Sequence, residues 1–308
     1  MYTGLRIAVI TDSDGWHEAR LAAAFESRGV EMVRLSLRDC RFDSDDSSGS
    51  QGLVLPGFDQ TLPDGVLIRN VPGGSFEQVT LRLGILHALK ACGRVVYNDA
   101  GVIERTVDKS MTGFLLARAG VPVLPTWVYE SEQQARDRVV DEIARGHALV
   151  LKPLFGACGR GLSLIRQLAD LPPPEQCGGV YYLQRFMASD QPGARDWRVL
   201  VIGGRAVAAM ERQVDDGWIT NHARGGQCLA AALTPALIEP AEAAAKAVGA
   251  GYAGVDLICD RSGDYRVLEV NGVPAWKGLQ SVTSFDIATV LVDDLLKRVL
   301  VRQLEAVS

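Results

Sequence analysis

Asp256, Glu269 and Asn271 are hard oxygen donors at a spacing that lets all three meet one cation. They lie in the run AGVDLICDRSGDYRVLEVN, which reads as two strands, 253–259 and 265–270, joined by a polar turn containing Gly263. In a hairpin symmetric about the Ser262–Gly263 bond, Asp256 lies directly across from Glu269. Asn271 then shares a face with Glu269, because side chains alternate with period two. Carboxylates that face each other across strands repel. A cation between them removes that repulsion, and two carboxylates with an amide oxygen suit Mg²⁺, leaving room for phosphate oxygens and water. The alternative is a solvated edge hairpin with its charges on the wet face.

A second group of residues could handle phosphate. Lys152 ends the apolar run ALVLK, and a lysine drawn into an apolar setting needs an anionic partner. Four residues on, GACGRG places Gly156, Gly159 and Gly161 in six positions, so the backbone can turn sharply and bring N–H groups against phosphate oxygens. Taken singly, such a loop is often only a loop, and Lys109 near a helix start is often only a surface charge. Cys158 reads as a small loop residue, since reactivity needs a depressed thiol pKa. His17, His87 and His147 stand apart, without metal-ligand spacing.

These residues need a framework to position them. RIAVIT (6–11) reads as a buried strand, 15–28 as a helix and 30–35 as a second strand, a βαβ start that implies a parallel sheet. No GxGxxG follows the first strand, so a dinucleotide fingerprint is missing. Residues 39–51 read as a polar, mobile loop, 76–91 as a helix and 94–97 as a strand, with a module boundary near Asn98. Further on, 108–119 and 131–145 read as helices, 127–129, 148–152 and 162–165 as strands, and LPPPEQCGG (171–179) as a surface linker. Strands at 181–186, 197–202 and 206–212 follow, the last two joined at Gly203–Gly204. Helices at 235–250 and 287–304 flank the metal hairpin. The expected modules are 1–98, 99–179 and 180–308.

Composition sets the bounds. A chain of 308 residues with 47% apolar and 22% charged residues is ordinary for a globular protein. A net charge of −5 offers no electrostatic footprint for nucleic acid or acidic lipid. The six cysteines are scattered, with no CxxC, which argues against a disulfide framework or zinc site and for a reducing cytoplasm. The N-terminus reaches Asp12 without a long apolar run, so neither a signal peptide nor a membrane anchor is expected.

Order along the chain makes the separate signals specific. DK at 108–109, LVLKP at 149–153, the glycine loop, QRFM at 184–187, DWRVLVIGG at 196–204, ITNHARGG at 219–226 and GVDLI…LEVN follow one another. This order resembles the ATP-grasp superfamily and, within it, the RimK-like carboxylate–amine ligases, over about Asn98 to the C-terminus. The resemblance implies an ATP-grasp fold: two α+β subdomains gripping ATP, preceded by a small parallel-sheet α/β domain. It implies that Lys109 and Lys152 contact the nucleotide and that the loop of Gly156, Gly159 and Gly161 closes over the phosphates. It further implies that Gln184, Arg185 and Phe186 form the adenine hinge, that Asp196 and Arg198 line the site, and that Asn221, Arg224, Gly225 and Gly226 lie near the transferred phosphoryl. Asp256, Glu269 and Asn271 match its Mg²⁺ ligands, with Mn²⁺ as the alternative ion. The chain departs from the pattern at Ala157–Cys158, where a polar pair is usual, and at Arg185, where an acidic residue is frequent.

The implied chemistry is transfer of the ATP γ-phosphoryl to a carboxylate, followed by attack of an amine on the acyl phosphate. Both partners of the first step are anions, so catalysis is neutralisation and alignment, with Lys152, Arg224 and Asn221 as the catalytic residues. The stretch PAWKGL (274–279) resembles the branch that adds glutamate to pterin-like coenzymes of the tetrahydromethanopterin type. It implies that Trp276 stacks on a ring and Lys277 pairs with a carboxylate; the alternative is a buried Trp anchoring the last helix. His222 is set either to meet substrate or to stay a solvated loop residue. The expected partners are L-glutamate and a small-molecule carboxylate acceptor, with no nucleic acid or membrane and with a homo-oligomer allowed. The alternatives are ligation onto a peptide or protein C-terminus, and a nucleotide-binding regulator without turnover.

Overall fold

In the computed structural model, which describes residues 2, 4–45, 52–58, 61–156, 160–187, 193–220 and 225–307, the first apolar run forms β1 (Arg6–Ile10). Helix α1 (Trp16–Glu26) and strand β2 (Glu31–Leu35) complete the expected βαβ start. A two-stranded ribbon, β3 (Arg41–Phe42) with β4 (Leu53–Val54), then replaces part of the expected polar loop. Cys40 and Leu53 are buried beside it and give it an apolar footing; residues 46–51 lie outside the described residues. Strand β5 (Gly65–Ile68), helix α2 (Phe76–Ala91) and strand β6 (Val95–Tyr97) follow. The sheet is parallel in the order β2-β1-β5-β6.

Two helices then stand where one was expected. Asp99 caps α3 (Ala100–Val107), accepting from Val102 N–H at 3.0 Å. Asp108 ends α3 and caps α4 (Lys109–Arg118), accepting from Ser110 N–H at 2.8 Å and Met111 N–H at 3.1 Å. The second sheet contains β7 (Thr126–Tyr129), β8 (Leu149–Lys152), β9 (Ser163–Ile165) and β10 (Tyr181–Arg185), with α5 (Glu132–Ala144) packed on it. Its order is β7-β10-β8-β9. The expected boundary at 179/180 therefore falls inside one sheet. β10 lies between β7 and β8 because its buried run Tyr181–Gln184 needs neighbours on both edges.

The third sheet holds β11 (Ala194–Ile202), β12 (Arg205–Val214), β13 (Gln227–Ala230), β14 (Tyr252–Cys259) and β15 (Tyr265–Asn271), antiparallel in the order β13-β12-β11-β14-β15. One face packs on the Ala-rich helix α6 (Pro235–Ala247), through Leu237, Ala241, Ala244 and Ala245 against Val199, Val201, Val255 and Val267. The other face changes character along its length. At one end it carries Asp196, Arg198, Arg212 and Asp256. At the other it carries Leu200, Ile202 and Tyr252, which join the core of the first sheet.

After α7 (Lys277–Gln280), the last helix, α8 (Ile287–Val307), also enters that core through Leu291, Leu295, Leu296 and Val299. The module expected to end near Asn98 thus takes one wall from the far end of the chain. Each such aliphatic side chain contributes about 1.5–3 kcal/mol on full burial. Among the described residues, no helix is long and apolar enough to cross a membrane.

Candidate active site

A cavity of about 740 Å³ lies between the second and third sheets. Lys109, Lys152, Gln184 and Phe186 line it from one side, and Asp196, Arg212, Asp256 and Glu269 from the other. Its size falls in the range of small-molecule sites.

The carboxylate hairpin arises in two steps. Its tip is tied by Asp260, whose carboxylate accepts from the N–H groups of Ser262 and Asp264, both at 3.0 Å, while Gly263 takes φ +90°. Pairs near the tip, such as Cys259 with Tyr265, centre on Ser262 rather than on the Ser262–Gly263 bond. A one-residue irregularity after Asp256 then restores the expected pairing, and Asp256 stands opposite Glu269. The bulge has a packing reason. Val267 and Val270 both enter the core beneath the sheet, which puts the two residues between them, Leu268 and Glu269, on the cavity side. Asn271 pairs with Gly254, one pleat beyond Glu269.

Beneath the cavity, charges alternate across neighbouring strands. Asp196 accepts from Arg212 Nε at 2.7 Å and Nη2 at 2.5 Å. Arg212 Nη2 also lies 2.9 Å from Asp256, which accepts bidentately from Arg198 at 2.7 Å on both arms. Burial by itself would raise the Asp256 carboxyl, but the two guanidiniums overcome it and hold this carboxyl well below the usual range. Asp196 goes the other way: burial raises it, with Asp256 adding, and Arg212 only partly offsets this. Arg198, expected on the site wall, lies under Asp256 as its counter-ion, with an 11% exposed side chain.

Glu269 has a different environment. Burial pushes its carboxyl up, Asp256 adds to this, and Lys152, Arg198 and Lys109 pull the other way. Burial lowers both lysines, while Glu269 supports their charge. Lys109 also donates to the carbonyls of Gly156 at 2.8 Å and Leu154 at 3.4 Å, which ties the start of the glycine loop to α4.

The residues expected as the adenine hinge, Gln184, Arg185 and Phe186, all line the cavity. Gln184 is buried and donates to Thr126 Oγ1 at 3.1 Å. Arg185, the departure from the usual acidic residue, turns its side chain to the buried Glu142 of α5 at 2.8–2.9 Å. Phe186 meets Trp218 edge-on, with centroids 5.8 Å apart, and both rings line the cavity with Val150, Leu164 and Ile258. A flat base would fit such an apolar slot.

The family described as RimK-like ATP-grasp domain matches residues 106–295, well over half of the chain. The chain belongs to the RimK-like ATP-grasp family. A tetrahydromethanopterin:alpha-L-glutamate ligase of Methanosarcina acetivorans is 30% identical over 305 residues, covering 88% of this chain and 92% of that protein. A probable alpha-L-glutamate ligase 1 of Hahella chejuensis is 30% identical over 303 residues, covering 96% of this chain and 95% of its own length. Among solved structures, the ATP-grasp ligase PsnB complexed with minimal precursor, Mg and ADP aligns with TM-score 0.71 at 20% identity, over 96% of this chain and 98% of PsnB. The fold is thus ATP-grasp, and the chain is an ATP-dependent, ADP-forming carboxylate–amine ligase that works with ATP and a divalent metal.

Asp256 and Glu269 fit such a metal. They are hard donors opposite each other on the cavity wall, and a cation would relieve the cost of keeping Glu269 charged beside Asp256. Among the described residues there is no cluster of three or more His, Cys, Asp or Glu able to hold a metal, so the remaining positions would fall to amide, phosphate and water oxygens.

RimK-like features expected elsewhere fare differently. Asn221, His222 and Arg224, with Ala157, Cys158 and Gly159, lie outside the described residues. Trp276 is 1% exposed and belongs to the core shared by the first sheet and α8, so its ring is not a free stacking platform. The physical reason is local: His17 meets the ring edge-on at 4.7 Å and the Arg69 guanidinium covers it at 4.3 Å. Lys277 is exposed and stands apart from the residues that line the cavity. Arg212, Trp218, His17 and Arg69 were not anticipated from the sequence. For Arg212 the signal was its position in a hairpin with Asp196; for the others no local signal existed.

Proposed function

We propose that this ligase joins the amine of L-glutamate to a carboxylate on a small pterin-like coenzyme, with Mg²⁺ as its metal and Mn²⁺ as a substitute. The opposed Asp256–Glu269 pair, sharing one cavity with Lys109 and Lys152, carries the reading. The names of the relatives, at 30% identity over most of the chain, support the glutamate and pterin assignments. Free thiols at all five described cysteines suit a cytoplasmic setting.

In this reading Phe186, Trp218 and the β10 backbone hold the base, and Lys109 and Lys152 set positive charge against the phosphates. Asp256, Glu269 and Asn271 hold the metal, which when bound would neutralise phosphate oxygens and help to align them. Asn221 and Arg224 are the residues proposed to hold the developing charge on the phosphoryl group. A carboxylate oxygen of the acceptor takes the γ-phosphoryl and ADP leaves. The amine lone pair then attacks the acyl carbon, phosphate departs, and the amine loses a proton. No protein nucleophile is needed.

The test is ADP release and product mass with ATP, Mg²⁺, L-glutamate and a panel of carboxylate acceptors. Release that requires both co-substrates, with acceptor mass raised by one glutamyl unit, is expected. Release independent of the amino acid, or an acceptor of unchanged mass, would overturn the proposal.

A further inference from the structure

A second polar cluster lies outside the nucleotide cavity, where the first sheet changes direction. From β1 the chain passes to β2 on one side, while β5 lies on the other side and leads on to β6. The crevice beyond the carboxyl ends of β1 and β5 is therefore the switch point of a parallel sheet, a recurrent place for ligands. Arg69 follows β5 directly, and its N–H donates to Ile10 O at the end of β1, at 2.9 Å. His17 stands in the first turn of α1, which follows β1.

The segment after the metal hairpin closes over this crevice. Arg69 Nη1 donates to Pro274 O at 2.9 Å, and its guanidinium covers Trp276. Trp276 N–H donates to His17 Nε2 at 3.1 Å, which requires that nitrogen to be unprotonated. Burial, then Arg69, then Lys277 hold the His17 pKa down to about 4, against Glu18. His17 is thus a neutral positioning residue, and the cluster's charge comes from Arg69 and Lys277. Among the described residues neither is paired with a carboxylate. Arg69 Nε and Trp276 Nε1 are buried donors with no acceptor among those residues.

The crevice adjoins the reacting centre. A methyl group at Gly254 would lie 2.9 Å from Pro274 Cβ and 3.7 Å from Arg198 Nε. Pro274, whose carbonyl holds Arg69, thus packs one residue away from the counter-ion of Asp256.

We infer that this switch-point crevice receives the non-reacting carboxylate of a substrate, with Arg69 as the binding residue. A guanidinium without a carboxylate partner, beside a ligase site, matches the charge of a dicarboxylic substrate. The inference rests on the ligase reading above. The carboxylate belongs either to the incoming amino acid or to the acceptor.

Two measurements on the full chain test it. Steady-state ADP release is compared for native protein, Arg69→Ala and Arg69→Lys. The expected result is a KM raised about 10- to 100-fold for one co-substrate in Arg69→Ala, partial rescue in Arg69→Lys, and an ATP KM within about twofold of native. The co-substrate whose KM moves identifies the source of the carboxylate. Unchanged KM for both, or an equal rise for ATP, would overturn the assignment. The second measurement, independent of turnover, is calorimetric binding of glutarate in the presence of Mg²⁺ and a non-hydrolysable ATP analogue. Binding to native protein that is lost in Arg69→Ala is expected. No binding to native protein, or equal binding to both, would overturn the Arg69 site. Failure of the function reading is a separate result: no ADP release by native protein with any co-substrate pair.

Discussion

At the cavity end of the β11–β14 face, Asp196, Arg212, Asp256 and Arg198 each meet an opposite charge across a strand. Beyond the other end, past Tyr252 and Pro274, Arg69 and Lys277 meet none among the described residues. The two clusters are both cationic in part, yet they are built for different tasks. Arg198 and Arg212 are tied to carboxylates when the chain folds, so they hold the carboxylate hairpin in shape and have little charge left for a ligand. In the cavity, Lys109 and Lys152 hold positive charge that is not spent on such a fork. At the crevice, Arg69 remains available. An arginine in a sequence does not reveal which of these it is.

The comparison predicts stability losses of very different size for two arginine deletions. Arg212→Leu leaves Asp196 buried beside Asp256 without its fork and should cost about 3–5 kcal/mol in denaturant unfolding. Arg69→Met removes a carbonyl hydrogen bond, a contact to the Tyr252 hydroxyl and a cation–π contact, with no buried carboxylate stranded, and should cost about 1–2 kcal/mol. Similar losses in both variants would erase the distinction.

Next in size is Glu269→Gln. It keeps the side chain's shape and removes one proposed metal ligand, so ADP release should fall about 100- to 1000-fold. Stability without nucleotide should hold or rise, because the lost charge faced Asp256 at a buried position. A melting temperature that falls together with activity would make Glu269 a structural partner of the lysines instead.

The smallest effect is a pH dependence at the crevice. The His17 pKa is lowered from 6.5 to about 4, chiefly by burial and the nearby Arg69. A depressed folded-state value means that the unfolded chain binds the extra proton first, so stability rises with pH across that window. The contribution is fully present above about pH 6.5 and is lost as pH falls through about 4. In His17→Gln the pH slope of unfolding free energy between these values should be shallower. An unchanged slope would show that the His17 pKa is not depressed in the folded chain.

Much of the site was legible because it is made by short-range pattern. The hairpin that carries Asp256 and Glu269 follows from two strands and one polar turn, though their pairing is reached through the bulge after Asp256, and the helix and strand assignments around Lys109 and Lys152 follow from apolar spacing and caps. The bulges were not legible. Symmetry about Gly203–Gly204 puts Glu211 across from Asp196, whereas a one-residue irregularity after Leu200 delivers Arg212. That choice depends on which neighbours the core accepts, and hydrophobic alternation within one strand does not encode it. The boundary expected at 179/180 falls inside the second sheet for a related reason. The composition of 171–179 marks a surface segment, but it cannot say that the next strand returns to the middle of the preceding sheet.

By itself the sequence determined which donor groups are on offer: two carboxylates and an amide on a hairpin, two lysines, three closely spaced glycines, and their order along the chain. These are local facts, set by residue type and by periods of 2 and 3.6. Only the tertiary structure decided that Trp276 is core rather than platform, that α8 walls the first sheet, and that Arg69 and His17 meet the segment after the carboxylate hairpin. Arg69 and Pro274 are 205 residues apart, and His17 and Trp276 are 259 apart. No local pattern constrains a contact across such a distance. It is set by which apolar faces bury one another, and the charges on those faces are carried to wherever the packing leaves them.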